Sequence, residues 1–334
     1  MAEITIEEVR EYLKGSQGRE VDLDKVRRDL EIDRGTKSWD GLRKIMFRLA
    51  QTREVKPSGR RDGIYRVIPK ILPVRIFGTN HNKAVYNLMF PKDYDTGMEF
   101  ELLANNIIVR EGDLILIAGV SNYGKTALAM NFLAENIDEH PCVLMGNEYT
   151  SPDNTPMPRF LNRLEAIDWV KWSDEKGDKF TLLPVQSDFA EYVQKDKLNI
   201  IDWINIETGE HYMIGSILSD IKGGVGKGVA VAVIQKSDTA ESGRGGQFTK
   251  DFADVELLID KHGEYESRLT VGKVKEAKRP ITGKMLAYGI VDGVKLTNVR
   301  EVKRCPTCYG KKWRKQGNTS KPCEFCDQIG YVDK

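Results

Sequence analysis

The sequence predicts an α/β fold built on a parallel sheet, and two observations carry that prediction. The segment Gly119–Thr126 has the pattern G-x-x-x-x-G-K-T and lies between the apolar run 114–118 and the helical pattern 127–133. Strand, loop and helix in this order are the context that a phosphate-binding loop requires. Further short apolar runs then follow without polar alternation, as buried parallel strands do. These runs occupy residues 142–146, 198–201 and 229–234.

The loop is expected to hold the phosphates of a nucleotide. Glycines at 119 and 124 permit backbone angles that side chains forbid, so successive N–H groups can turn toward an anion. The next helix directs the positive end of its dipole to the same place. Lys125 would reach the β- and γ-phosphates and the Thr126 hydroxyl would bind Mg²⁺, which predicts ATP and Mg²⁺ as cofactors. A chance match in a Gly-rich loop is the alternative. The expected nucleotide-binding residues of the loop are Gly119, Val120, Ser121, Asn122, Tyr123, Gly124, Lys125 and Thr126.

Length and composition fit a folded protein with more than one domain. The chain has 334 residues, of which 40% are hydrophobic and 30% charged. It has no run of 18 apolar residues, so we expect no membrane span. Its N-terminus is acidic and lacks the apolar core of a signal peptide, so we expect a cytoplasmic location.

Charge is unevenly distributed although the net charge is only +1. Residues 34–70 carry eleven Lys and Arg against three Asp and Glu, and residues 300–334 carry nine against four. Basic ends around a mildly acidic middle suggest nucleic-acid contacts at the ends, with ordinary solvated surface as the alternative.

The first 70 residues show three helical patterns and a hairpin. A capping box at Thr5–Glu8 opens the first helix, residues 22–32 form the second, and Ser38 is expected to cap the third. A strand, a Gly-rich turn and a returning strand follow at 54–68. This order resembles a winged helix-turn-helix domain, which implies DNA or RNA contact; such a domain can equally bind protein. The contact residues expected here are Arg43, Lys44, Arg48, Arg60 and Arg61.

Residues 71–99 are predicted to be a linker. Pro69, Pro73 and Pro91 argue against long helices across this part of the chain. The apolar residues 100–108 are expected to form a strand that joins the core.

Three polar residues end the apolar runs that follow the phosphate loop. Glu148 comes just after the run 142–146, Asp202 ends the next run, and Gln235 ends the run after that. An apolar strand ending in Asp downstream of a phosphate loop matches the Walker B pattern, whose carboxylate holds Mg²⁺ through water. An ordinary strand-end carboxylate is the alternative for Glu148.

Together with the loop, these residues resemble the RecA-like core of DnaB-type hexameric helicases, over residues 100–299. The resemblance implies that Glu148 orients the attacking water and that Gln235 senses the nucleotide. It implies an oligomer, either ring or filament, with nucleotide bound between subunits. A basic group of the neighbouring subunit, here Lys273 or Arg279, would then stabilise the transition state; a solvated turn is the alternative.

The resemblance also places DNA-contacting loops after two of the strands. Residues 237–251, with Arg244 and Lys250, would form one such loop, or else a flexible surface loop. Residues 203–211 occupy the position of the other loop, but their acidic character weakens the parallel.

The tail 300–334 contains two C-x-x-C pairs separated by 14 residues, at Cys305, Cys308, Cys323 and Cys326. Four thiolates at this spacing suit a structural, tetrahedral Zn²⁺ in a module that resembles a zinc ribbon. Cys142 is expected to be a buried strand residue. Trp313 lies among the basic residues 311–315, which suits nucleic acid, or else it packs beneath the zinc loop.

The sequence therefore predicts an oligomeric, nucleic-acid-dependent ATPase, namely a DnaB-type DNA helicase or translocase. The alternatives are a recombinase-like or loader ATPase that forms filaments on DNA, and a DNA-binding regulator controlled by ATP.

Overall fold

The computed structural model describes residues 4–59, 61–70, 85–204, 213–237, 243, 246–316 and 319–334. The chain divides into two compact units, Met1–His81 and Asn82–Lys334. Among the described residues, no helix combines the length and the apolar character that crossing a membrane requires.

The N-terminal unit consists of helices packed on a small antiparallel sheet. β3 is the central strand and pairs with β1 on one side and β2 on the other. The sequence does not predict β1, which is only three residues long. The elements are α1 (Ile6–Lys14), β1 (Glu20–Asp22), α2 (Leu23–Asp29), α3 (Lys37–Gln51), β2 (Val55–Pro57) and β3 (Ile64–Val67).

The helix starts in this unit follow local side-chain chemistry. Thr5 and Glu8 form the predicted capping box of α1. The predicted cap of α3 is wrong, because Thr36 and not Ser38 is the N-cap residue. The Thr36 hydroxyl accepts a hydrogen bond from the backbone N–H of Trp39 at 3.3 Å, so the helix begins two residues earlier than expected.

The second unit is organised around a ten-stranded sheet. Its strand order is β17-β14-β13-β12-β11-β4-β10-β9-β5-β8. The six strands from β11 to β8 are parallel to one another. The strands β12, β13, β14 and β17 extend the sheet on the β11 side, each antiparallel to the strand before it. The strands are β4 (Leu114–Gly119), β5 (Cys142–Met145), β8 (Phe180–Leu183), β9 (Leu198–Ile201), β10 (Val229–Gln235), β11 (Val255–His262), β12 (Glu266–Val274), β13 (Met285–Val291), β14 (Lys295–Arg304) and β17 (Tyr331–Asp333).

Helices and two short hairpins complete this unit. The helices are α4 (Glu101–Ala104), α5 (Lys125–Asn136), α6 (Pro158–Ala166), α7 (Phe189–Tyr192), α8 (Ile214–Gly224) and α9 (Gln247–Phe252). The hairpins are β6–β7 (Ser173–Asp174 and Gly177–Asp178) and β15–β16 (Trp313–Gln316 and Thr319–Pro322).

Burial on both faces explains why the parallel strands have nearly pure apolar sequences. Ile115 and Ile117 of β4 join a hydrophobic cluster with α5, whereas Leu114 and Leu116 join a second cluster with α8. The sheet is thus covered on both sides, and the α/β class predicted from the sequence is confirmed.

Two predicted elements differ from the structure. Residues 100–108 do not form a strand: Phe100 precedes the short helix α4, and the chain then makes a single bridge from Ile107 to Ala277. The sequence also favours a helix over residues 158–170, and in the structure this helix, α6, ends at Ala166.

Residues 85–99, assigned to the linker by sequence, pack on the core. The Asn136 side chain exchanges two hydrogen bonds with the backbone of Met89, and the Phe90 ring lies edge-on to Phe132 at 5.8 Å. Residues 71–84 of the predicted linker lie outside the described residues.

The cysteine-containing tail shares the sheet of the core. β14 crosses the predicted boundary at residues 299 and 300, and β17 pairs with its end. The Arg268 guanidinium of β12 lies over the Tyr331 ring of β17 at 3.8 Å. Backbone pairing and this stacked contact together attach the tail to the core.

The capping of α3 can be tested with a matched pair of substitutions. We expect Thr36→Ala to speed hydrogen exchange of the first-turn amides of α3 about fivefold, because removing an N-cap costs about 1 kcal/mol. Ser38→Ala keeps that cap and should leave the exchange unchanged. Exchange read by mass spectrometry distinguishes the two residues, and equal effects would contradict the assignment of Thr36.

Candidate nucleotide and metal sites

The phosphate loop closes at the carboxyl end of β4 through tight backbone packing. Gly124 adopts a φ of +83° directly before α5, and a Cβ there would lie 2.1 Å from Cδ1 of Ile290. Gly119 does not have a positive φ, which corrects the expectation for that residue. It is needed instead for close packing, since a Cβ there would lie 2.9 Å from the Cβ of Ile259. Asn122 takes the second left-handed conformation of the loop, with a φ of 66°.

Hydrogen bonds from neighbouring strands hold the loop in place. Gln235 Nε2 at the end of β10 donates to Ser121 Oγ at 2.7 Å. Ser267 Oγ at the start of β12 donates to the backbone carbonyl of Tyr123 at 3.0 Å. Within the loop, Lys125 Nζ donates to the carbonyl of Val120 at 2.9 Å.

Strand order brings the predicted polar residues to the loop. β10 lies between β4 and β9, and Gln235 is in register with Gly119. β5 is the next strand beyond β9, so the segments that follow β5 and β9 lie at the same edge of the sheet. One cavity of about 720 Å³ is lined by the loop residues 121–126 together with Glu148, Asp202 and Gln235.

Asp202 lines this cavity, and a hydrogen bond fixes the orientation of its carboxylate. Its side chain is buried, and Oδ2 accepts a hydrogen bond from the hydroxyl of Tyr149. Burial raises the pKa of Asp202, and hydrogen bonds from the Tyr149 and Thr126 side chains oppose that rise. Among the described residues, Oδ1 of Asp202 meets no hydrogen-bond partner of good geometry.

These residues fit a magnesium ion. Mg²⁺ prefers hard oxygen ligands and keeps most of its water, so it needs only one or two protein oxygens beside the phosphates. The buried Oδ1 of Asp202 and the hydroxyl of Thr126 supply such oxygens at the edge of the phosphate loop.

Two arginines that line the cavity and a tyrosine that bonds to Asp202 were not predicted from the sequence. Arg159 and Arg163, four residues apart on α6, both line it, and the charge of Arg163 acts to lower the pKa of Asp202. Tyr149 is fully buried against Phe160, with ring centroids 4.7 Å apart. The i, i+4 spacing of the two arginines was visible in the sequence, but nothing indicated which face of α6 would meet the site.

The turn between β11 and β12 also lines the cavity. Glu264 and Tyr265 of that turn line it, and Tyr265 is 85% exposed. Arg268 a few residues later bonds to Asp260 at 3.1 Å, and Asp260 also meets Lys236 beside Gln235. Because Arg268 also lies over the Tyr331 ring of the tail, these contacts connect the cavity with the tail.

The two basic residues proposed to act on a neighbouring subunit lie away from this cavity. Lys273 pairs with Glu256 near the start of β11, whereas the cavity lies at the carboxyl ends of the parallel strands. Its ammonium group donates to the backbone carbonyl of Lys250 on α9. Arg279 Nε donates to Asn106 Oδ1 at 2.6 Å. Neither residue lines the cavity of its own chain.

The nucleic-acid residues predicted in the N-terminal unit share one groove. Arg43, Lys44, Arg48 and Arg61 line a groove of about 900 Å³ on the α3 side of this unit. Phe47 lies among them and is 62% exposed. The same groove also carries carboxylates, at Asp22, Asp24, Asp40 and Asp62. Predicted contact residues outside the described part of the chain are Arg60 and Arg244.

The four tail cysteines form a compact buried cluster that fits zinc. Their Sγ atoms all lie within 4.8 Å of one another. Cys305 and Cys323 Sγ are 3.8 Å apart, and Cys308 and Cys326 Sγ are 3.7 Å apart. Tetrahedral sulfurs at about 2.3 Å from Zn²⁺ would be separated by roughly this distance. Cys142 is buried on β5 as expected.

Comparison with known proteins adds little to this picture. No family model and no curated protein matches the sequence. Among solved structures, the RadB recombinase is 16% identical with a TM-score of 0.41, over 57% of this chain and 92% of that chain. A KaiC-like protein from the hyperthermophilic archaeon Pyrococcus horikoshii is 17% identical with a TM-score of 0.42, over 63% of this chain and 98% of that chain. At TM-scores this low neither likeness bears on function, which is inferred from the site itself.

Zinc binding is tested by its stoichiometry. We expect the purified chain to carry one zinc ion and Cys305→Ser to lose most of it, because three remaining thiolates leave a tetrahedral site incomplete. Cys142→Ser is the matched control, since this cysteine is buried but lies outside the cluster. Native mass spectrometry gives the count, and unchanged zinc in Cys305→Ser would contradict the assignment.

Proposed function

We propose that this chain is a RecA-like ATPase that acts on nucleic acid as an oligomer, working as a DnaB-type helicase or translocase. One observation carries the proposal: Lys125, Thr126, Glu148, Asp202 and Gln235, which arise on four different strand ends, line a single cavity. A phosphate loop with a metal-binding aspartate, a second carboxylate and a polar sensor is the equipment of nucleotide hydrolysis.

In the proposed mechanism, water attacks the γ-phosphate in line with the leaving oxygen. The backbone N–H groups of the loop and the Lys125 ammonium offset the charge that develops on the phosphate oxygens. Glu148 is exposed to the cavity and accepts a hydrogen bond from the attacking water, which orients it. Mg²⁺, when bound, would supply positive charge that offsets the charge of the phosphates. Thr126 and Asp202 would hold it, with the Tyr149 hydroxyl fixing the orientation of the carboxylate.

Gln235 is the proposed link between nucleotide state and nucleic acid. Its side-chain amide donates to Ser121 Oγ in the phosphate loop, and a γ-phosphate would offer it a stronger, charged acceptor. A change of partner would displace the end of β10. The segment that follows directly, residues 237–251, contains the proposed contact residues Arg244 and Lys250.

Oligomer formation would complete the site. Because Lys273 and Arg279 lie outside the cavity of their own chain, either can serve only by reaching the site of another copy. The groove of the N-terminal unit, through Arg43, Lys44, Arg48 and Arg61, would supply further contacts to DNA or RNA. A recombinase-like or loader ATPase would use the same cavity without separating strands, and an ATP-controlled regulator would bind nucleotide with little turnover.

The first test is Lys125→Ala. We expect ATP hydrolysis to fall at least 100-fold, because the variant lacks the charge that stabilises the transferring phosphate. Phosphate release is measured with and without single-stranded DNA. Lys171→Ala, which removes an exposed lysine outside the cavity, should retain activity. Full activity of Lys125→Ala would show that another site performs the reaction.

The second test is Glu148→Gln. We expect hydrolysis to slow by about 100-fold or more while ATP still binds, because the amide cannot polarise the water as a carboxylate does. Glu165→Gln, on an exposed position of α6 outside the cavity, is the matched control. Single-turnover kinetics together with retained nucleotide distinguish a chemical defect from a binding defect. A Glu148→Gln protein that turns over normally would refute the role of this carboxylate.

The third test separates the helicase from its alternatives. We expect single-stranded DNA to stimulate hydrolysis and a tailed duplex to be unwound in an ATP-dependent strand-displacement assay. Stimulated hydrolysis without strand displacement would favour the recombinase-like or loader ATPase. ATP binding without turnover would favour the regulator.

A further inference from the structure

A strongly basic segment lies inside the zinc-binding tail. Residues 302–323 contain seven Lys and Arg and no Asp or Glu. The ion pairs at this end of the chain use Arg300 and Lys334 instead. Within the part of the tail that the structure describes, none of the seven basic side chains is paired with a carboxylate. They are Lys303, Arg304, Lys311, Lys312, Arg314, Lys315 and Lys321.

The β15–β16 hairpin presents this charge on a fixed frame. It begins five residues after Cys308 and ends directly before Cys323, so both of its ends are attached to the cluster of four cysteines. The backbone N–H of Cys323 also donates to the carbonyl of Lys312 at 2.9 Å, which closes the base of the hairpin.

Pairing in the hairpin places like charges against each other. Arg314 is directly opposite Lys321. Like charges at such a cross-strand pair destabilise a hairpin, so local folding does not explain this arrangement. An anion bound beside the pair would remove the repulsion.

The opposite face of the hairpin carries an aromatic side chain. Because side chains alternate along a strand, Trp313 and Lys315 share one face while Arg314 points to the other. Trp313 is 50% exposed, and the partly buried hydrophobic residue packed on the four cysteines is Val332. Half of the Trp313 surface is therefore free to meet a ligand. Two more exposed aromatic residues flank the hairpin, Tyr309 at 74% and Phe325 at 62%.

We propose that the β15–β16 hairpin binds single-stranded nucleic acid, with Trp313 stacking on a base and Lys315 contacting a phosphate on the same face. Arg314 and Lys321 contact phosphates where the strand bends round to the other face. An exposed aromatic ring on a hairpin with unneutralised cations on both faces suits a flexible single strand whose bases are free to stack. A duplex would satisfy the cations but keeps its bases paired, so it could not use Trp313 in this way. The site uses none of the residues assigned to the groove of the N-terminal unit or to the segment 237–251, and it does not require ATP hydrolysis.

The test measures binding of the full-length, zinc-loaded chain to a fluorescein-labelled oligothymidine, by anisotropy without nucleotide and across a salt series. We expect Trp313→Ala to weaken binding by about 5- to 150-fold while the dependence on salt stays the same. Arg314→Gln combined with Lys315→Gln should instead reduce the slope of log affinity against log salt by about 1.4, since each lost phosphate contact removes about 0.7.

Matched controls come from other parts of the core. Trp169→Ala removes a partly exposed tryptophan that bonds to Glu135, and should bind as the unaltered chain does. Lys171→Gln with Lys176→Gln removes two exposed charges beside the β6–β7 hairpin and should leave the salt slope unchanged. Lys125→Ala should also bind normally, which separates this proposal from the proposed ATPase. Zinc content reports whether each variant keeps its tail folded.

Two further measurements guard against a variant that fails to fold. Trp313→Phe keeps an aromatic ring and should retain most of the affinity. An oligonucleotide carrying 5-iodouracil should cross-link to the peptide that contains Trp313 in the unaltered chain. Unchanged affinity in zinc-loaded Trp313→Ala, an unchanged salt slope in the double variant, or an equal effect of Trp313→Ala on a duplex would overturn the proposal.

Discussion

The site depends on the position of β10 between β4 and β9. This order places Gln235 beside the phosphate loop and puts Asp202 one strand further along. Because all these strands are parallel, their carboxyl ends meet at one edge of the sheet, where open α/β sheets bind ligands. A side chain at Gly119 or Gly124 would collide with Ile259 or Ile290, so the loop needs glycine at both positions. Packing of the sheet therefore determines how the phosphate loop and the polar residues of the cavity are placed relative to each other.

The parts of the site that the sequence predicts are those fixed by short-range patterns. Three features can each be recognised within a few residues of sequence: the phosphate loop, the strand followed by Asp202, and the paired cysteines. The sheet class follows as well, because strands buried on both faces must be apolar throughout. Arg163, which lines the cavity, and Tyr149, which bonds to Asp202, could not be predicted in this way, since the positions of both depend on how α6 packs.

Errors in the predicted elements have similar physical causes. The apolar residues 100–108 suit a buried strand or a buried helical turn equally, and periodicity does not separate the two over so short a run. At α3, Thr36 and Ser38 are both good caps, and only the hydrogen bond to Trp39 decides between them. The antiparallel strands β13 and β14 were not predicted; β13 lies inside the predicted core, and β14 crosses the predicted boundary between core and tail.

The small strand β17 has a further consequence for the whole molecule. It pairs with the end of β14 and so covers part of the outer edge of the ten-stranded sheet. An uncovered edge offers unpaired N–H and C=O groups to any other chain, and such edges promote aggregation. The cysteine-containing tail thus also covers part of the sheet edge, and a chain shortened before Tyr331 would be prone to self-association through β14.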